Sequence, residues 1–135
     1  MDAREISLED VIAAADFRAA LRGFMRESER IARKSGLTPQ RYLLLLMIKG
    51  APDRSEESTV TELARRLQLA QSTVTELVSR AEESGLVERR QSGVDGRVAH
   101  LRLSREGERR LEASFTALET ERKQLREAVQ HVGLV

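Results

Sequence analysis

A mainly α-helical fold carrying one small β-hairpin is predicted by three features of this 135-residue chain. Between Thr61 and Ser84, two short stretches repeat apolar residues at helical spacing. Leu63, Ala64 and Leu67 form the first set and Val74, Leu77, Val78 and Ala81 the second, with a break at Leu69-Ala70. Two strand-like runs follow at once, Val87–Arg90 and Val98–Leu103, joined by Gln91-Ser92-Gly93-Val94-Asp95-Gly96-Arg97. Longer helical patterns occupy both ends of the chain. The combination describes a winged helix-turn-helix with long N- and C-terminal dimerisation helices and a two- or three-stranded wing sheet.

Each element has a local cause. Ser7 before Leu8-Glu9-Asp10 is an N-cap with acids in the first turn, where they oppose the positive end of the helix dipole. The helix it opens runs to about Lys34, with Val11, Ala14, Leu21, Phe24, Met25, Ser28, Ile31 and Ala32 on one broad face, and Gly36 ends it. Thr38-Pro39 opens the next helix, and Tyr42–Ile48 is apolar nearly all round, so this helix is expected to be central and buried. Gly50–Ser58 reads as a mobile polar loop. Gly85 stops the fourth helix in a left-handed conformation, and Leu86 supplies the hydrophobic contact of a Schellman-type cap. In the second strand Ala99, Leu101 and Leu103 alternate with Val98, His100 and Arg102, as a half-buried strand requires.

Ser104 caps a last helix expected to continue unbroken to about His131. Leu111, Leu118, Leu125 and Val132 recur on it every seven residues, Phe115 and Val129 are offset by four, and Arg122 interrupts the seam. Such a helix of roughly 28 residues would be about 40 Å long, which outreaches the small lobe beside it. Its far end then needs a second subunit. The expected organisation is one unit over residues 1–135, with 1–37 and 104–135 as dimerisation helices around a lobe at 38–103.

Composition excludes more than it identifies. There is no Cys, hence no disulfide framework and no thiol switch, and two separated His residues make a poor metal site. No nucleophile–base arrangement, phosphate-binding Gly loop or metal-ligand spacing is present, so no enzyme, cofactor or metal is expected. The polar start MDAREISLED is unlike a signal peptide, and Leu43–Ile48 is too short to span a membrane, so a cytoplasmic location is expected. The net charge is only +1. From Thr59 to Leu103, however, seven Arg stand against six acids, and Arg89, Arg90, Arg97 and Arg102 of the hairpin face only Glu88 and Asp95 within it. That is a local cationic patch.

In the stretches TVTELARRLQL, QSTVTELVSRAEESGLVERR, the DGR of the hairpin and LSREG, with Leu37-Thr38-Pro39 upstream, the chain resembles the MarR (multiple antibiotic resistance regulator) family. The resemblance covers nearly the whole length. It implies a homodimer that binds a pseudo-palindromic site on double-stranded DNA and represses transcription. It also implies relief by a small aromatic or organic-anion effector. The alternative is a winged-helix protein-interaction module that no longer binds DNA.

The residues expected to meet DNA are Gln71, Ser72, Thr73, Thr75, Glu76, Ser79 and Arg80 on the second helix of the pair, and Arg89, Arg90, Asp95 and Arg97 in the wing. Ser and Thr can serve base edges or phosphates, whereas a carboxylate such as Glu76 accepts from cytosine N4 and repels phosphate. The resemblance implies that Asp95 holds Arg97 so that its guanidinium enters a minor groove. Two residues depart from the family pattern: Glu76 stands where a basic residue is common, and Ala70 where a Ser or Asp cap is usual. Arg41 and Tyr42 lie near the place where family members bind their effectors. Glu56-Glu57 and Glu82-Glu83, being adjacent, read as solvated charges.

Overall fold

The computed structural model describes residues 5–91 and 96–132. Among these residues eight elements follow in order: α1 (Leu8–Lys34), α2 (Pro39–Lys49), α3 (Val60–Leu67), α4 (Gln71–Glu83), β1 (Val87–Gln91), β2 (Ala99–Leu103), α5 (Arg105–Ala117) and α6 (Glu119–His131). The mainly helical winged fold expected from the sequence is the one observed.

The caps lie where local chemistry puts them. Ser7, Thr38 and Ser104 each accept a hydrogen bond from a backbone N–H three residues on, at 3.4, 3.1 and 3.0 Å. Gly36 and Gly85 take φ of +77° and +73°, and the amides that follow them, Leu37 and Leu86, reach back to Ala32 and Ala81 at 2.9 Å. Thr59 and Glu62 form a reciprocal capping box at the start of α3, 2.9 and 3.2 Å, visible in the sequence as T-x-x-E.

Helix α2 is the hub, touching α1, α3, α4, α5 and β2. Leu44, Leu45 and Ile48 are fully buried there against Leu63, Val74, Val78 and Leu101. It is not buried all round, because Leu43 remains 42% exposed. β1 and β2 pair antiparallel with Val87 opposite Leu103 and Arg89 opposite Leu101. A single bridge from Ser58 to Leu101, 3.0 and 2.8 Å, adds the rudiment of a third strand.

That bridge corrects one expectation. The segment from Gly50 to Ser58 is tied down by short-range bonds and by contacts to the body of the protein. Ser55 N–H donates to Asp53 Oδ1 at 2.9 Å, Ser58 pairs with β2, Ala51 is buried, and Lys49 bonds both Glu56 and Glu108. Polar composition alone concealed this, because the partners lie elsewhere in the chain.

The last helix is also not continuous. Leu118 has φ −96° and ψ 9° and divides it into α5 and α6, its N–H shared between the Ser114 and Phe115 carbonyls at 3.2 Å each. Arg122 explains the break: its guanidinium donates to the Phe115 carbonyl and stacks 3.5 Å from the Phe115 ring centroid. The residue that spoils the heptad seam thus caps the end of α5. Leu111 and Leu118 are consequently buried in their own chain, whereas α6 has no fully buried residue.

The contact between Gly107 and Leu86 is the tightest in this region. A Cβ on Gly107 would stand 2.1 Å from the Leu86 carbonyl oxygen, in a place where only backbone could give way. Gly107→Ala is therefore expected to cost at least about 2 kcal/mol, the scale of overpacking a core. Denaturant unfolding of the two proteins checks this; equal midpoints would contradict it.

Candidate nucleic-acid interface

Helix α4 is laid on the core by Val74, Val78 and Ala81, all fully buried, which turns Ser72, Thr73, Thr75, Glu76, Ser79 and Arg80 to solvent. The helix starts at Ala70 with no side-chain cap, as the residue type dictates. Gln71 instead donates to Thr61 Oγ1 of α3 at 3.3 Å, which fixes the start of α4 against its neighbour. The turn between the helices passes through Gln68 in the left-handed region, φ 56°. The first turn of α4 thus starts without a side-chain cap, among the exposed hydroxyl side chains of Ser72, Thr73 and Thr75.

The arginines are placed differently from the expectation. In the antiparallel register, Arg89 shares a sheet face with Leu101 while Arg90 shares the other with His100. The structure separates these two residues. Arg89 donates to Glu82 of α4 at 2.7 Å, and Arg90 donates to Glu57 at 2.5 Å. Arg102 reaches Glu88 at 3.3 Å, and Arg80 reaches Glu76 at 2.6 Å. The hairpin charges therefore face more acids than the hairpin itself contains, and the cationic patch is largely answered from within the chain. Glu57 and Glu82 are not simply solvated. The Arg90 guanidinium holds the Glu57 carboxyl below its ordinary value, with burial opposing and the charges of His100 and Arg102 adding to the effect. Gly96 and Arg97 are exposed at the tip; Asp95 lies outside the described residues.

The two residues expected near an effector part company. Tyr42 is buried and lines a cleft of about 110 Å³ between α1 and α2, with Phe24, Met25, Ser28, Leu43 and Leu46. Burial pushes its hydroxyl above the ordinary value, while the Arg122 charge and a Ser28 hydrogen bond pull it down. Arg41 does not line that cleft. Among the described residues, no group of three His, Cys, Asp or Glu could hold a metal ion, and no helix is long and apolar enough to cross a membrane.

An apolar surface remains on the terminal helices. Ile6, Leu8, Val11 and Ile12 are 80, 67, 44 and 49% exposed around the start of α1, and Met25 and Phe115 are half in solvent. Within the chain α1 packs along α6.

Comparison with known proteins agrees with this geometry. Residues 35–98 match the MarR family model. The HTH-type transcriptional repressor IacR of Pseudomonas putida is 29% identical over 89 residues, 66% of this chain and 51% of that protein, so the match spans about half the length of this curated relative. A transcriptional regulator from Thermotoga maritima is 27% identical with a TM-score of 0.64, over 83% of this chain and 76% of its own. The M. tuberculosis transcriptional regulator MOSR, solved in complex with DNA, is 27% identical with a TM-score of 0.56, over 73% and 68% of the two chains.

The Glu57–Arg90 pair has a pH signature. Its contribution to stability is fully present above the ordinary Glu value of 4.5 and is lost as pH falls through the lowered folded value. Glu57→Gln should accordingly be slightly less stable than the native chain at neutral pH, and the gap should close in acid. Unfolding curves of both proteins across that range measure it; a gap independent of pH would contradict the pairing.

Proposed function

We propose that this chain, which carries a MarR-family winged-helix unit over residues 35–98, regulates transcription by binding double-stranded DNA as a homodimer. The observation that carries the proposal is the exposed face of α4, hydroxyl-rich and set beside an arginine-bearing hairpin. A helix so presented fits a major groove, and the hairpin reaches along the duplex from it. In this reading Gln71, Ser72, Thr73, Thr75, Glu76, Ser79 and Arg80 meet the groove and its phosphates. Arg89 and Arg90 reach phosphates from opposite faces of the wing sheet. Asp95 and Arg97 serve the wing tip, with Arg97 entering a minor groove whose narrowness concentrates negative potential. The chain acts as a repressor on a pseudo-palindromic operator, and the name of the Pseudomonas relative, an HTH-type transcriptional repressor, supports the repression.

Two subunits are joined, on this reading, by the apolar surface of the terminal helices, residues 1–37 and 104–135 flanking the lobe at 38–103. A small organic anion or aromatic molecule acts as effector near Tyr42, with Arg41 at its margin. The cleft of about 110 Å³ is smaller than the roughly 150 Å³ that admits a benzene ring, so occupancy would require α1 to shift against α2. Such a shift would couple the cleft to the spacing of the two recognition helices.

The ion pairs also favour a second reading, a protein-interaction module that no longer binds DNA. Arg80, Arg89 and Arg90 all have carboxylate partners, and a phosphate must displace these to recruit them. Mobility-shift titration on duplexes selected from random sequence separates the two. Specific binding at physiological salt supports the regulator, and no binding at any salt supports the module.

Three outcomes are expected. Glu82→Gln, by freeing Arg89, should tighten DNA binding severalfold and steepen the salt dependence by about one unit of slope. Unchanged affinity and slope would remove Arg89 from the interface. Arg97→Ala should cost roughly 1–3 kcal/mol and relax the preference for A·T pairs under the wing, read by affinity on matched duplexes. Ile12→Asp should shift the native dimer toward monomer in sedimentation without unfolding the lobe, because Ile12 is exposed in the single chain; a native chain that sediments as a monomer would end the dimer proposal.

A further inference from the structure

The exposed side of α4 carries short hydroxyl side chains, Ser72, Thr73, Thr75 and Ser79, and two long residues among them, Glu76 and Arg80. These two stand one helical turn apart and form an ion pair, Arg80 Nη2 donating to Glu76 Oε1 at 2.6 Å. Their side chains are 63 and 61% exposed, so the pair does not serve as packing. An exposed pair of this spacing adds little to helix stability. Elsewhere on α4 the long polar side chains Gln71 and Glu82 are engaged by Thr61 and Arg89, and Glu83 stands at the last position of the helix, two turns beyond Glu76. Glu76 and Arg80 are therefore the groups with both the reach and the free hydrogen-bonding capacity to address a base edge.

Resting on the DNA-binding reading above, we infer that the Glu76–Arg80 pair is the base-reading element of α4 and that it selects a C·G pair in each half-site. Joined, the two side chains present a carboxylate acceptor beside guanidinium donors. In the major groove a C·G pair presents the cytosine N4 donor beside the guanine O6 and N7 acceptors, which is the complementary order. Because the two side chains touch, they meet the edge of one base pair rather than two distant ones. An A·T pair keeps an N7 acceptor but puts the adenine N6 donor where guanine has O6 and the thymine O4 acceptor where cytosine has N4, so in the same pose the guanidinium loses an acceptor and the carboxylate meets a lone pair. Glu76 thereby rejects A·T as well as accepting C·G, and it discourages docking on phosphate alone. Weak general affinity for DNA accompanies a sharp choice at one position.

The test is selection of bound duplexes from a random pool by the full-length native chain, Glu76→Gln and Arg80→Lys, followed by affinity measurements on duplexes changed only at the selected position. The native chain should recover a C·G pair in each half-site and bind it about tenfold or more over A·T. Glu76→Gln should move the preference toward A·T, because an amide bonds adenine N6 and N7. That gain of a new preference is one that a merely structural ion pair would not produce. Arg80→Lys should keep affinity within a few-fold and lose most of the discrimination, because it retains the charge and removes the planar fork. If the native chain selects a site and neither variant changes its base preference, the inference is overturned while the DNA-binding reading stands. If the native chain recovers no sequence at all, both are overturned.

Discussion

The structure depends on one junction, where the end of α4, the start of β1 and the start of α5 meet. Ser104 is its centre. Its hydroxyl donates to the Gly85 carbonyl at 2.6 Å and accepts from the Gly107 amide at 3.0 Å, and its own N–H donates to the Leu86 carbonyl at 2.9 Å. One residue therefore closes α4, anchors the hairpin and caps the helix that leaves the lobe. Gly107 permits this because it has no Cβ to strike Leu86. Leu86 itself is fully buried, so the junction is hydrogen-bonded on its surface and apolar beneath. Any motion of α5 relative to the lobe must be transmitted through backbone that is already in contact.

The terminal helices inherit their geometry from that point. Arg110, one turn into α5, donates to the Gly36 carbonyl at 3.0 Å and is paired with Glu106 at 3.0 Å, which ties the end of α1 to the start of α5. Farther along, Arg122 turns the chain at Leu118 and brings α6 alongside α1. The result is a lobe held firmly at one end of a helical arm whose far surface is still apolar. Ile6, Leu8, Val11 and Ile12 leave an exposed apolar strip around the start of α1, which the proposed dimer would cover.

Charge is handled with restraint. A net charge of +1 and arginines paired inside the chain give the lobe little nonspecific pull on a polyanion. Each of these guanidinium groups is already engaged by a carboxylate, so a phosphate must displace that partner before it gains the contact.

Much of the fold was legible because its signals are local. A cap at Ser7, Thr38 or Ser104 bonds three residues away, the stops at Gly36 and Gly85 act within one turn, and the apolar stripes of α3 and α4 follow a helical period. The exposed face of α4 follows from that period alone, and Ser72, Thr73, Thr75, Glu76, Ser79 and Arg80 could be assigned to it without coordinates. Charge at the hairpin could not be read the same way. Arg90 finds Glu57 across 33 positions of sequence and Arg89 finds Glu82 on a neighbouring element, so counting charges within the hairpin overstated its basicity. The tie of Ser58 to β2, the break at Leu118 and the close approach of Gly107 to Leu86 are of the same kind. Sequence periodicity determines which face of a helix is wet, because that depends on bonds within one helix. Which carboxylate meets which guanidinium is decided by tertiary packing, because it depends on how separate elements are set against one another.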